Sequence, residues 1–287
     1  MPNRSIFYQP ASADPATDPW TRAAGEPPFD ITGLTNGTEY RFDDGQSVFL
    51  QTPVAAPTTT YKDEVLADDP VLFLTGSTAG AWQNEGTGGS TITTGSAITF
   101  GGAWGGGIEV ATLNGTINSV STATGIPAMN DATDGTYEFW SKSTLTGGAY
   151  ILNNRGFNSG TFSERDFCGM VKGTDGLIRI RLTNSSALFA FSDVGLYDDG
   201  VWCHIVGRKL GSEVSIWVNG SKVFTETWDF DATFAPHPNA TASIGVGGRI
   251  HPGVQDVFTG DLSAPALYNY GLSDERIAAH FAAGGPA

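Results

Sequence analysis

Residues 198–224, DDGVWCHIVGRKLGSEVSIWVNGSKVF, set Trp202, Cys203 and His204 side by side at the head of a strand-like run. A histidine there could pass a proton or hold a metal ion, but either task needs partners. The chain has only three other histidines, His237, His251 and His280. Its two cysteines, Cys168 and Cys203, have a spacing that fits neither a zinc site nor a Cys-x-x-Cys motif. In a strand, Trp202 and His204 lie on one face, Cys203 and Ile205 on the other. The thiols read as isolated and reduced, with a disulfide between them as the alternative.

Paired carboxylates are the other chemistry to look for. Retaining glycoside hydrolysis needs two of them about 5 Å apart, which on a strand means acids at alternate positions, as in Glu-x-Asp-x-x-Glu. That run is absent. DGTYEFW (134–140) offers Glu138 alone, with Thr136 and Trp140 as its same-face neighbours. In ETWDFD (226–231), Glu226 and Asp229 have opposite parity, and only Asp229 and Asp231 share a face. Neither Gly-x-Ser-x-Gly nor His-Glu-x-x-His occurs. The expectation is a protein that is not an enzyme.

Any such residues must be positioned by β structure. From Tyr61 onward, short apolar or alternating runs recur, among them IEVATL, TYEFWSKS, LIRIRL, EVSIWVNG and KVFTETWDF. Asp-Gly or Asn-Gly turns stand at 114–115, 134–135, 175–176, 199–200 and 219–220. The 38 glycines suit many tight turns. The pattern predicts an all-β, two-sheet antiparallel sandwich. Its one helix is predicted at the C-terminus, in LSDERIAAHFAAGG, with Ser273 as cap, Asp274 and Glu275 in the first turn and Gly284 as stop. Residues 1–53 read differently: a Pro- and Ala-rich stretch, then FDITGLTNGTEYRFDDGQSVFLQT as a three-stranded meander. They are predicted to form a small β module, joined by a linker at 54–60 to a domain over 61–287.

Fifteen basic residues against thirty acidic ones give a formal net charge of −15, which disfavours nucleic acid and anionic lipid. A neutral or weakly charged ligand such as a glycan is compatible. No run of about 18 apolar residues occurs, so membrane insertion is not expected. The first twenty residues show no apolar h-region, and no secretory signal peptide is expected.

Four stretches, in order, resemble the LamG-like jelly-roll of the concanavalin A-like lectin/glucanase superfamily. They are YKDEVLADDPVLFL, YEFWSK, DDGVWCHIVGRKLGSEVSIWVNGSKV and FTGDLSAPALYNYGLSDERIAAHFAAG, within about residues 61–285. Two departures stand out. Cys203 replaces the first histidine of the family's pair, and Ser263-Ala264-Pro265-Ala266 replaces its Asp-Glu-Val. A proline there implies an edge or a bulge. The resemblance implies that Trp140, Trp202 and His204 are parts of the fold.

It also implies a ligand-binding domain. A sugar site needs flat apolar rings and a few planar polar groups. Trp82 and Trp104, flanked by glycines in a stretch read as loop, are the first candidates. Tyr150 with Arg155, Trp228 with His237, and Arg249 with His251 follow. Calcium is implied by relatives that bind it, and Asp68, Asp69, Glu85, Asp229 and Asp231 could supply oxygens.

The architecture resembles a phage or gene-transfer-agent fibre or spike: assembled in the cytoplasm, displayed on the virion surface, held to other virion proteins through residues 1–60. The expected function is non-catalytic recognition of a host cell-surface polysaccharide by a homo-oligomer. The alternative is a structural virion subunit, of decoration or baseplate type, whose jelly-roll makes only protein contacts.

Overall fold

The computed structural model describes residues 7–10, 21–22, 40–43, 48–51, 59–76, 79–124, 133–143, 149–154, 167–172, 177–184, 186–191, 200–227, 243–248 and 256–286. The chain forms two compact units, Met1–Thr58 and Thr59–Ala287. In the first, β1 (Phe7–Pro10), β2 (Thr21–Arg22), β3 (Tyr40–Asp43) and β4 (Val48–Gln51) make an antiparallel sheet in the order β2-β1-β3-β4. Two strands of the predicted meander are β3 and β4; its first lies outside the described residues.

The second unit opens on a helix that the strand patterns hide, α1 (Tyr61–Leu66). Thr60 Oγ1 accepts from the Asp63 amide, and Asp63 Oδ2 accepts from the Thr60 amide. This reciprocal capping box starts a six-residue helix inside what reads as a lead-in to a strand. Then come β5 (Leu72–Gly76), β6 (Trp82–Asn84), β7 (Thr91–Thr93), β8 (Ile98–Trp104), β9 (Ile108–Asn114) and β10 (Ser121–Thr124). The Gly/Thr/Ser-rich stretch expected to be loop thus holds three strands. Its Thr-Ile-Thr and Ile-Thr-Phe alternation outweighs its glycines.

The chain continues through β11 (Gly135–Lys142), β12 (Ala149–Asn154), β13 (Phe167–Lys172), β14 (Ile178–Asn184), β15 (Ser186–Phe191), β16 (Cys203–Leu210), β17 (Glu213–Val218) and β18 (Ser221–Thr227). It ends with β19 (Ser243–Val246), β20 (Thr259–Tyr268) and α2 (Asp274–Ala282). The β17–β18 turn is Asn219-Gly220 with φ of 50° and 73°, the mirror-image hairpin geometry expected of Asn-Gly. Ser273 caps α2, and Gly284, at φ 95°, ends it as the sequence predicts.

Two antiparallel sheets result. One runs β15-β14-β13-β12-β19-β10-β7. The other runs β18-β17-β16-β11-β20-β5-β6, with β9 also paired to β20 and β8 to β9. Strand alternation sorts the side chains into three layers. Ile151, Ile178, Ile180, Ile244 and Val246 from the first sheet meet Tyr137, Phe139, Cys203, Ile205 and Ile216 from the second, in the core of the sandwich. On the second sheet's other face, Trp140, Val206 and Trp217 join Tyr61 and Val65 of α1 and Ile277 of α2 in a second apolar cluster. Pro265 sits at an irregularity, as expected: Glu138 pairs with Ala266 but Trp140 with Ser263, and Ala264 takes φ 52°. There β20 changes partner, from β9 at Thr259–Leu262 to β5 at Ala266–Leu267.

Candidate functional site: a sealed carboxylate network and an open sheet face

Register along β11 sets the chemistry. Tyr137 and Phe139 point into the sandwich core, so Glu138 and Trp140 face the helices. His204 is directly opposite Trp140 on β16, and its Nε2 lies 2.8 Å from Glu138 Oε1. The Tyr61 hydroxyl donates to Glu138 Oε1 at 2.8 Å and the Tyr268 hydroxyl to Oε2 at 3.1 Å. From α2, His280 Nδ1 is 3.0 Å from both oxygens, and its Nε2 is 2.9 Å from Asp68 Oδ2. Arg276, one turn earlier, donates to Asp68 at 2.8 Å and to Glu64 Oε2 at 2.8 Å.

Burial alone would push the Glu138 carboxyl up, but the two histidines outweigh it and hold it well below the usual carboxylate range. Burial first, and then the same carboxylate, drives Tyr61 and Tyr268 well above the ordinary tyrosine value. The constellation has the composition of an acid–base site. Yet Tyr61, Glu138, His204, Tyr268 and His280 are each 0% exposed. Four donors saturate Glu138, and no substrate atom can reach it. It ties α1, β11, β16, β20 and α2 together. Sequence reading found Glu138 and His204 but missed that His280 completes the set. A histidine on the buried side of a helix, four positions after Arg276, was the available signal.

Trp82 and Trp104, expected in the sugar site, stand on strands. Trp82 starts β6, is 4% exposed and meets Phe100 edge-on at 5.1 Å. Trp104 ends β8, half-buried, with its indole N–H donating to Ser263 Oγ at 2.9 Å and its ring 5.0 Å from Tyr61. Both are packing residues, because the strands that carry them turn the rings inward.

Of the residues expected to hold calcium, Asp68, Asp69 and Glu85 are described. Asp68 Oδ2 is occupied by Arg276 and His280, and Glu85 Oε1 by Lys62 and Thr75, while Asp69 is exposed. Among the described residues, no three His, Cys, Asp or Glu side chains come together as metal ligands would. Asp229 and Asp231 lie outside the described residues, as do Arg155, Trp228, His237, Arg249 and His251. Tyr150 stands on β12, in the seven-stranded sheet; its side chain is outside the description.

That sheet offers the surface a ligand could reach. Ala123 and Ile244 are buried, so the alternating positions face outward. Thr91 and Thr93 of β7 are exposed there, opposite the half-exposed Thr124 and Thr122 of β10. Arg179, between buried Ile178 and Ile180, is half-exposed on the same side. Hydroxyls, a guanidinium and flat backbone make a polar platform, and no described helix covers it.

Residues 114–278 match Laminin_G_3, a family of the concanavalin A-like lectin/glucanases superfamily. The chain belongs to this family. The match spans the Laminin_G_3 strands β10 to β20 and the start of α2, including Glu138, His204 and the Pro265 bulge. No curated protein matches the chain in sequence. Solved structures do match in fold. The botulinum neurotoxin serotype G binding domain is 16% identical with a TM-score of 0.55, over 74% of this chain and 50% of that one. The binding domain of Paraclostridial Mosquitocidal Protein 1 is 12% identical with a TM-score of 0.57, over 75% and 52%. The botulinum neurotoxin serotype D ligand-binding domain, solved with N-acetylneuraminic acid, is 12% identical with a TM-score of 0.56, over 76% and 52%. The chain thus spans about half the length of the solved structures it matches.

Proposed function

We propose that this Laminin_G_3 domain is a non-catalytic module that binds a neutral or weakly charged cell-surface saccharide on the outer face of its seven-stranded sheet. The observation that carries this reading is the contrast between the two sheets. The nine-stranded sheet uses the Glu138, His204 and His280 constellation to hold two helices, which pack on its outer face. The seven-stranded sheet has a polar face that no described helix covers, and its hydroxyls and guanidinium suit sugar hydroxyls. Fold neighbours support saccharide recognition: they are binding domains, one in complex with N-acetylneuraminic acid and another with SialylT. Their ligands were seen with domains of which this chain covers about half, so the sugar class is argued from charge. A net charge of −15 repels an anionic glycan at long range and leaves a neutral one indifferent.

The two-unit organisation supports a display role. The described strands of unit Met1–Thr58 run two to four residues, a poor basis for a large core of its own. In this reading it attaches the domain to other proteins of a virion fibre or spike, at the virion surface, and several copies compensate for a weak single site.

The test is retention of the full chain on immobilised neutral and sialylated polysaccharides, with released reducing ends measured in the same samples. Saturable retention on neutral glycans without product is expected. Retention on no glycan, or product release, would overturn the reading.

A further inference from the structure

We propose that His280 is a doubly protonated latch that clamps the C-terminal helix onto the sandwich, and that losing one of its protons as pH rises releases the helix and uncovers the aromatic layer beneath.

A neutral imidazole has one N–H donor and one lone pair, whereas the imidazolium has two donors. At His280 both nitrogens face carboxylates: Nδ1 meets Glu138 Oε1 and Oε2 at 3.0 Å, and Nε2 meets Asp68 Oδ2 at 2.9 Å. Either neutral tautomer would aim a lone pair at a carboxylate oxygen, between Glu138 and His280, each 0% exposed, and Asp68, whose side chain is 15% exposed. Two protons satisfy the geometry; one does not. His204, by contrast, meets a carboxylate at Nε2 alone.

The described charged and titratable groups around the latch come from five elements and one turn. Glu138 faces it from β11 and Asp68 from the turn after α1. Tyr61 of α1 and Tyr268 of β20 lie ring to ring with it at 6.2 and 6.4 Å. His204 of β16 lies across Glu138, while Arg276 on its own helix and Glu64 on α1 complete the shell. Burial and the Arg276 charge favour the neutral form, but Glu138 and Asp68 outweigh them, and the net displacement is upward from the ordinary 6.5. A raised folded value means that this stabilisation is complete below about 6.5 and is lost as pH rises through the folded value.

Besides the latch, α2 is held by Ile277, buried in the apolar cluster, by Phe281, and by ion pairs along its outer edge. Asp274, paired to Arg208 and Lys222, is 51% exposed, and Arg276 is 32% exposed; exposed pairs contribute little individually. The helix also delivers Phe281, stacked on Trp140 and on His204 with centroids 6.0 Å apart. Releasing α2 therefore bares Trp140, and with it the ring cluster of Tyr61 and Trp104.

Side-chain nitrogen NMR on the full chain, with His280 assigned by its proximity to the Tyr61 and Tyr268 rings, tests both halves. Two nitrogen-bound protons at pH 6 and a titration midpoint above 6.5 are expected. Amide protection factors across 274–282 should then fall, by up to about tenfold per pH unit, between 6.5 and that midpoint and level off above it, with β16 unchanged. A single ring proton at pH 6, a midpoint at or below 6.5, or α2 protection that stays flat between 6.5 and the midpoint would overturn the proposal. His280→Gln is expected to give an α2 whose protection is already low and indifferent to pH. A folded variant that keeps the wild-type pH response would equally overturn it; should the variant not fold, the wild-type titration decides alone.

Discussion

Glu138 shows how one side chain can look catalytic and act as a rivet. Its carboxylate collects two tyrosine hydroxyls and two histidine nitrogens in a space closed to water. Removing it strands those donors, so Glu138→Ala is expected to cost about 3–5 kcal/mol in urea unfolding, and Glu138→Gln less, since its amide oxygen still accepts. The pH dependence has a definite sign. Because the folded carboxyl lies below its ordinary 4.5, its contribution is present above that value and is lost as pH falls through the folded one. A stability profile that rises on acidification below 4.5 would contradict this. Trp82 belongs to the same scale: Trp82→Ala should lower stability by about 3–5 kcal/mol, as any emptied core site does, and a variant that loses only ligand binding would refute the packing role. Glycine neighbours suggested display in the sequence; the strand that turns the ring inward depends on pairing with β5, which neighbouring residues do not encode.

At the scale of elements, local chemistry was legible and partner choice was not. The Asn219-Gly220 turn, the Ser273 cap and the Gly284 stop each rest on residues within a few positions of one another, and each stands where the sequence puts it. The Pro265 irregularity was legible for the same reason, since a missing N–H is a local fact. Helix α1 was readable in principle from Thr60 and Asp63 but lay under a stronger apolar run. Thr60→Ala should lower stability by about 1 kcal/mol through loss of that cap, measurable as a shift in denaturant midpoint. Gly220→Ala tests the seat of α2. A Cβ there would stand 2.7 Å from Phe281 Cδ1 at a φ of 73°, so loosened packing of Phe281 on Trp140 and a loss of about 1–3 kcal/mol are expected. A neutral result would mean that α2 is not seated on that turn.

For the whole molecule, the ordered motifs announced the two-sheet sandwich because alternation is a property of each strand. Which groups gather across the sheets was hidden. His204 reaches Glu138 over 66 residues and His280 over 142, distances at which only the completed topology creates a neighbour. The same topology decides which face is free. Alternation in β7, β10 and β14 shows two-sided strands, but only the docking of α1 and α2 on the other sheet leaves the threonine face uncovered. The central claim is therefore a claim about faces: the helix-covered sheet holds the structure and the threonine-lined sheet meets the ligand. Its most direct test is a backbone NMR titration of the full chain with a neutral polysaccharide fragment that the retention assay selects. The account expects shifts concentrated at Thr91, Thr93, Thr122, Thr124 and Arg179, with Glu138, Trp104 and α2 silent. Shifts centred on α2 and Trp104, with the threonine face silent, would contradict it.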